Sequence, residues 1–211
     1  MVKKFFYLFI IILFYAQNAQ ASVHHPQTAD SAKGFIEDLG RRAIASLTKP
    51  GAPKNELESS FRSLLEEGFD VPAIGRLVLG HYWKQMTPNQ ESRFIDLFKN
   101  RLVKSYANRF QEYAGVHFIV TGERPEGEHV IVTSTIQKPG GPITPVDWRV
   151  EGGKIHDVKV EGVSMSVTMQ ADYRNSIQRN GNNIDKFLDE LGGSSTGGSG
   201  KRPKAANSDD D

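Results

Sequence analysis

At 211 residues, with 26 basic against 25 acidic side chains, the chain is long enough for one sizeable core, and its formal charge of +1 gives no electrostatic reason to bind nucleic acid or a bulk anionic membrane. It contains no cysteine, which excludes disulfides, zinc thiolates and thiol catalysis.

Residues 1–21 read as a cleaved signal peptide. Lys3 and Lys4 precede an apolar run over 5–15, too short to span a bilayer, and Ala19-Gln20-Ala21 supplies a small-residue cleavage site. The mature chain is then expected to start at Ser22. No cysteine follows, so a lipoprotein anchor is not expected. Export through a Sec-type signal without disulfides points to a periplasm. Removing residues 1–21 takes away Lys3 and Lys4 and no acid, leaving 24 basic and 25 acidic side chains. At the other end, 192–211 is Gly/Ser-rich, almost without apolar residues, and reads as a disordered tail. One domain is therefore expected over 22–191.

Its first half is helical in pattern. Phe35, Ile36, Leu39, Ala43, Ile44 and Leu47 form one stripe and predict a helix over 29–47, stopped by Pro50-Gly51. Leu57, Phe61, Leu64 and Leu65 predict a second over 54–66, ended by Gly68. Asp70 caps a third that carries Ile74, Leu77, Val78 and Leu79, and Gly80 ends it before an aromatic turn, His81-Tyr82-Trp83. Thr87, Pro88 and Gln90 make a capping box for a long helix over 87–113, with Phe94, Phe98, Leu102, Tyr106 and Phe110 at successive i+4 positions.

The second half alternates with period two. Strands are expected over 116–122, 129–137, 143–151 and 154–162, joined by Gly/Pro turns short enough for an antiparallel meander. Phe118, Val132, Trp148 and Val158 fall on one face of it. Asp147, Arg149, Asp157 and Lys159 alternate with the apolar residues and should face water. After Gly162 the apolar phase changes, giving Val163, Met165, Val167 and Met169, which suggests a bend at that glycine. Helices over 167–179 and 184–191 close the chain. The expected fold is α+β: N-terminal helices, a curved four-stranded antiparallel sheet covered on one face, and C-terminal closing helices.

The six histidines show no metal spacing, and no glycine loop cradles phosphate. Asp147 and Asp157 allow an acid/base pair in a cone-shaped α+β enzyme, but their alternation with Arg149 and Lys159 favours cross-strand ion pairs. What remains is an excess of large apolar residues on the sheet face and the long helix. The pattern alone leaves open whether that interior closes on itself or holds a ligand.

The run Val78-Leu79-Gly80-His81-Tyr82-Trp83-Lys84 with Thr87-Pro88 and Gln90, then Tyr106, Asp157-Val158, and Glu161-Gly162-Val163-Ser164-Met165 through Thr168 and Gln170, resembles the MlaC family over about residues 30–191. The resemblance implies a monomeric periplasmic carrier without cofactor or catalysis. Such a carrier passes glycerophospholipid between an outer-membrane lipoprotein–porin complex and an inner-membrane ABC transporter complex with an MCE-domain ring. A hopanoid-associated branch of the same fold is the alternative lipid carrier. The residues expected to touch acyl chains are Leu79, Trp83, Phe98, Leu102, Tyr106, Val132, Trp148, Val160, Val163, Met165 and Met169, with the stretch around Gly162 as the lip of the pocket. No charged clamp for a head group is expected; Lys84, Arg101 and Arg109 read as exposed cations.

Overall fold

Helix α1 (Ala29–Leu47) opens the computed structural model, which describes residues 29–193. The signal peptide over 1–21, the start of the mature chain and the tail beyond Gly193 fall outside the described residues. The apolar stripe of α1 turns Ile36, Leu39 and Leu47 inward, and all three are buried. Helix α2 (Lys54–Gly68) is tied to α1 by Arg42, which donates to both carboxylate oxygens of Glu67, one at 2.8 Å.

Asp70 caps α3 (Val71–Leu79) as expected, accepting from the Ala73 N–H at 2.9 Å. The Asp70 N–H meanwhile donates to the Ile155 carbonyl at 3.0 Å, so the α2–α3 joint is stitched to the sheet. The aromatic turn is a 3-10 segment, Gly80–Gln85. The capping box at Thr87 is present and starts α4.

The long helix departs from expectation. Helix α4 spans Pro88–Tyr106, and Ala107–Tyr113 tightens into a 3-10 segment. Each i+4 step advances about 40° around an α-helix, so an unbroken helix would carry Phe110 away from the body. With three residues per turn, i and i+3 positions eclipse. Tyr106, Arg109, Phe110 and Tyr113 accordingly all reach the same interior space.

The sheet is antiparallel, but with five strands rather than four, in the order β1-β2-β3-β4-β5. These are β1 (His117–Glu126), β2 (His129–Gln137), β3 (Ile143–Glu151), β4 (Lys154–Val160) and β5 (Val163–Ser164). Glu161 and Gly162 both have positive φ, 52° and 80°, and form a two-residue hairpin that pairs Val160 with Val163. The phase change after Gly162 is therefore a reversal of the chain. The irregularity within β4 lies at His156, where Arg149 pairs Asp157 but Val150 pairs Ile155. That extra residue brings Ile155, an odd-numbered position, onto the apolar face with Val158 and Val160.

Helix α5 (Met165–Arg179) starts two residues earlier than the pattern suggests and is capped by Ser164. Helix α6 (Ile184–Leu191) closes the chain. Two apolar clusters result. One joins α3, α4, α5 and α6; the other joins α1 to β2, β3 and β4, and Phe69 packs against both.

Candidate functional site

The cluster under α1 is hollow. A cavity of about 340 Å³ lies between α1, the apolar sheet face and the 3-10 segment Ala107–Tyr113. Helix α1 contributes Ile36, Leu39, Gly40, Ala43, Ile44 and Leu47. Phe61 and Phe69 close the α2 side; Val116, Phe118, Ile136 and Trp148 form the sheet wall. Tyr106, Arg109, Phe110 and Tyr113 line the remaining side. The space falls at the lower end of ordinary ligand cavities, and its walls are hydrocarbon and aromatic rings almost throughout.

Local sequence shapes the walls of this space. Gly40 faces the sheet with no side chain, and a Cβ there would overlap the Phe118 ring. Ala43 adds only a methyl one turn later. Across the space the Trp148 indole N–H donates to Ser134 Oγ at 2.8 Å, and the Ser134 hydroxyl donates in turn to the Val146 carbonyl at 3.3 Å. That chain satisfies the buried hydroxyl and fixes the indole, whose ring stands edge-on to Phe118 at 6.3 Å. Gln111 donates to the Leu47 carbonyl at 2.7 Å and pins the 3-10 segment to the end of α1. Phe110 packs on Phe61 at 5.6 Å between ring centres. A shallower groove between α1 and β1 shares Ile44, Val116 and Phe118 with the cavity and adds Glu37, Arg41 and His117.

A model of the MlaC protein family matches residues 37–192. The chain belongs to the MlaC family. It is 26% identical over 170 residues to the toluene tolerance protein ttg2D of Pseudomonas putida, covering 78% of this chain and 79% of that one. Its fold is similar to that of a phospholipid-binding protein from Ralstonia solanacearum solved in complex with a phospholipid. The TM-score is 0.67 at 21% identity, over 77% of this chain and 97% of that one.

Within this MlaC fold, the residues expected to touch lipid are scattered. Tyr106 and Trp148 line the cavity. Val132 is fully buried beneath α1, behind that lining. Leu79, Phe98, Leu102, Trp83 and Met169 belong to the other cluster, where Phe98 stacks on Phe94 at 5.5 Å. Val160 pairs across β3 with Val146 and across the hairpin with Val163. Val163 is 60% exposed, and Met165 begins α5 outside the cavity. The stretch around Gly162 is thus a hairpin and a helix start, away from the cavity wall.

Asp157 also departs from its expected place. It stays on the outer sheet face, opposite Arg149, but is buried because β5 and the start of α5 fold over it. Its carboxylate accepts from Ser164 Oγ at 2.6 Å and from the Ser166 N–H at 3.2 Å, at the positive end of α5. Asp147 pairs in register with Lys159 on the same outer face. Neither carboxylate lines the cavity, which removes the geometry that the acid/base reading needs.

Gly40, Ala43, Phe61, Phe110, Phe118 and Ile136 line the cavity and were not expected to touch lipid. The signal for two of them lies in the α1 stripe. Small residues at 40 and 43, set among large ones on one helix face, mark where that face leaves room for a neighbour's ring.

Proposed function

We propose that this protein is a periplasmic lipid carrier that seats phospholipid acyl chains in the cavity under α1 and leaves the head group in water. It would then shuttle the lipid between an outer-membrane lipoprotein–porin complex and an inner-membrane ABC transporter complex with an MCE-domain ring. The observation that carries this reading is the apolar cavity, lined by α1, the sheet and the 3-10 segment. Family membership supports it, as does the phospholipid bound by the Ralstonia solanacearum protein of similar fold.

The energetics suit a shuttle rather than a catalyst. Each methylene removed from water contributes about 0.8 kcal/mol, so bound chains do not escape into solvent. A membrane or a partner's cavity is as dry as this one, and transfer between dry sites can run close to balance. Rings and branched aliphatic side chains in the wall offer no polar group that would single out one acyl chain from another.

Native mass spectrometry of protein prepared from cells should show an adduct of phospholipid mass that survives gentle desolvation. Ala43→Phe, which places a ring in the empty space, should remove the adduct while shifting stability by less than about 1.5 kcal/mol. Wild-type protein that is repeatedly lipid-free after mild preparation would count against the carrier.

A further inference from the structure

We infer that Arg109 holds the anionic group of the bound amphiphile at the cavity mouth, making the site selective for lipids whose apolar chains end in an oxyanion. This deepens the carrier reading and rests on it.

Among the described residues, Arg109 is the charged side chain on the cavity lining. The other polar groups there are Thr48, whose hydroxyl donates to the Ile44 carbonyl at 2.7 Å, the Trp148 indole N–H, taken by Ser134, and two tyrosines. The 3-10 segment sets Arg109 one tight turn from Tyr106 and one α-like step from Tyr113, so its stem runs along an apolar wall. As a residue it is nonetheless exposed, which leaves the guanidinium at the water boundary.

Three other cations in this half of the molecule are engaged. Arg42 is held by Glu67, Lys49 by Glu56 at 3.2 Å, and Lys138 by Glu112 at 3.8 Å while lying 4.1 Å above the Tyr113 ring. Arg109 has no hydrogen-bond or ion-pair partner among the described residues. Glu112, on the same segment, is taken up by Lys138. An unengaged guanidinium beside an apolar cavity has the fork geometry that pairs with phosphate or carboxylate through two parallel N–H donors. A glycerophospholipid places its phosphodiester at the root of its acyl chains, one step outside the apolar space. A fatty acid presents the same chemistry through its carboxylate.

The test uses the mature protein stripped of lipid, and three probes carrying the same fluorescent acyl chain: phosphatidylglycerol, diacylglycerol and free fatty acid. Wild type should bind phosphatidylglycerol about tenfold more tightly than diacylglycerol, the size expected of one charge-assisted contact near water. Arg109→Gln should erase that preference without changing diacylglycerol binding or Tm, and Arg109→Lys should keep part of it. An unchanged preference in Arg109→Gln would overturn the assignment while leaving the carrier intact. An Arg109-dependent gain for fatty acid but not for phosphatidylglycerol would overturn the phosphodiester as the group held. Failure of wild type to bind any of the three would sink the carrier reading, and the assignment with it.

Discussion

The two halves of this molecule use the same aromatic and aliphatic residues to opposite ends. In the helical half, Phe94 and Phe98 stack with their planes 10° apart, Tyr173 meets both edge-on at 6.1 Å, and Phe187 packs on Tyr173 at 5.7 Å. Burial among these rings pushes the Tyr173 phenol up to about 12, so it stays neutral. Four helices converge there from different sides, and their rings pack against one another. In the sheet half one helix crosses a curved surface, with Gly40 and Ala43 at the crossing, and the rings of Phe110, Phe118 and Trp148 border empty space instead of filling it. Apolar content therefore does not distinguish a core from a container. The number of elements that converge, and the size of the residues where they cross, decides it.

The largest expected effect breaks this comparison if it fails. Phe98→Ala should cost about 3–5 kcal/mol in urea unfolding, because a fully buried ring leaves a cavity with neighbours on all sides. Phe110→Ala should cost only about 1 kcal/mol, since its ring already faces empty space. Equal costs would mean that both halves are packed alike.

Next in size is Asp157→Ala. It removes the acceptor for the Ser166 N–H and the Ser164 hydroxyl and should cost about 1–3 kcal/mol, with lipid content per folded molecule unchanged. Loss of lipid at full stability would return Asp157 to the functional site. Val163→Asp is smaller still. An exposed residue next to a hairpin should accept the charge within about 0.5 kcal/mol and keep its lipid. Lipid loss there would restore the Gly162 stretch as the cavity lip.

The smallest effect is acid sensitivity, and it samples both halves. Hydrogen bonds from Arg42 hold the Glu67 carboxyl below its usual range. Burial opposes ionisation of Glu190, but hydrogen bonds from Asn180 and Ser176 and the charge of Arg179 outweigh it and lower that carboxyl too. Both bind protons less readily folded than unfolded. Their stabilisation is thus complete above the unfolded value, near 4.3, and is lost as pH falls through the lower folded values. Urea midpoints measured from pH 6 down to pH 3 should fall, less steeply in Glu67→Gln and in Glu190→Gln. Parallel curves for wild type and both variants would show that neither contact is coupled to folding.

Much of this architecture is legible in the chain itself. Stripes of period 3.6 gave α1, α2 and α4, the Thr87–Gln90 box marked a helix start to the residue, and alternation with Gly/Pro turns gave β1 to β4 and their shared apolar face. These are local signals, carried by side-chain spacing and by the few residues that can cap or turn a chain. The expectation for α4 failed at Tyr106, where a continuing stripe gave no warning that the backbone would tighten. The expected exposure of Asp157 failed because a two-residue strand, Val163–Ser164, folds over it.

The candidate site was the least legible part. Of the residues expected to touch lipid, Tyr106 and Trp148 reach the cavity, because both lie on faces that the period alone orients. Phe98 and Leu79 have the same composition and the same periodicity as a cavity wall, yet α5 and α6 cover them. Sequence by itself determined which face of each element is apolar, because that follows from spacing along one chain. Which apolar faces meet and fill, and which leave a space beside the close contact of Gly40 with Phe118, was decided only in the tertiary structure, because a void is a property of two surfaces and neither one encodes it alone.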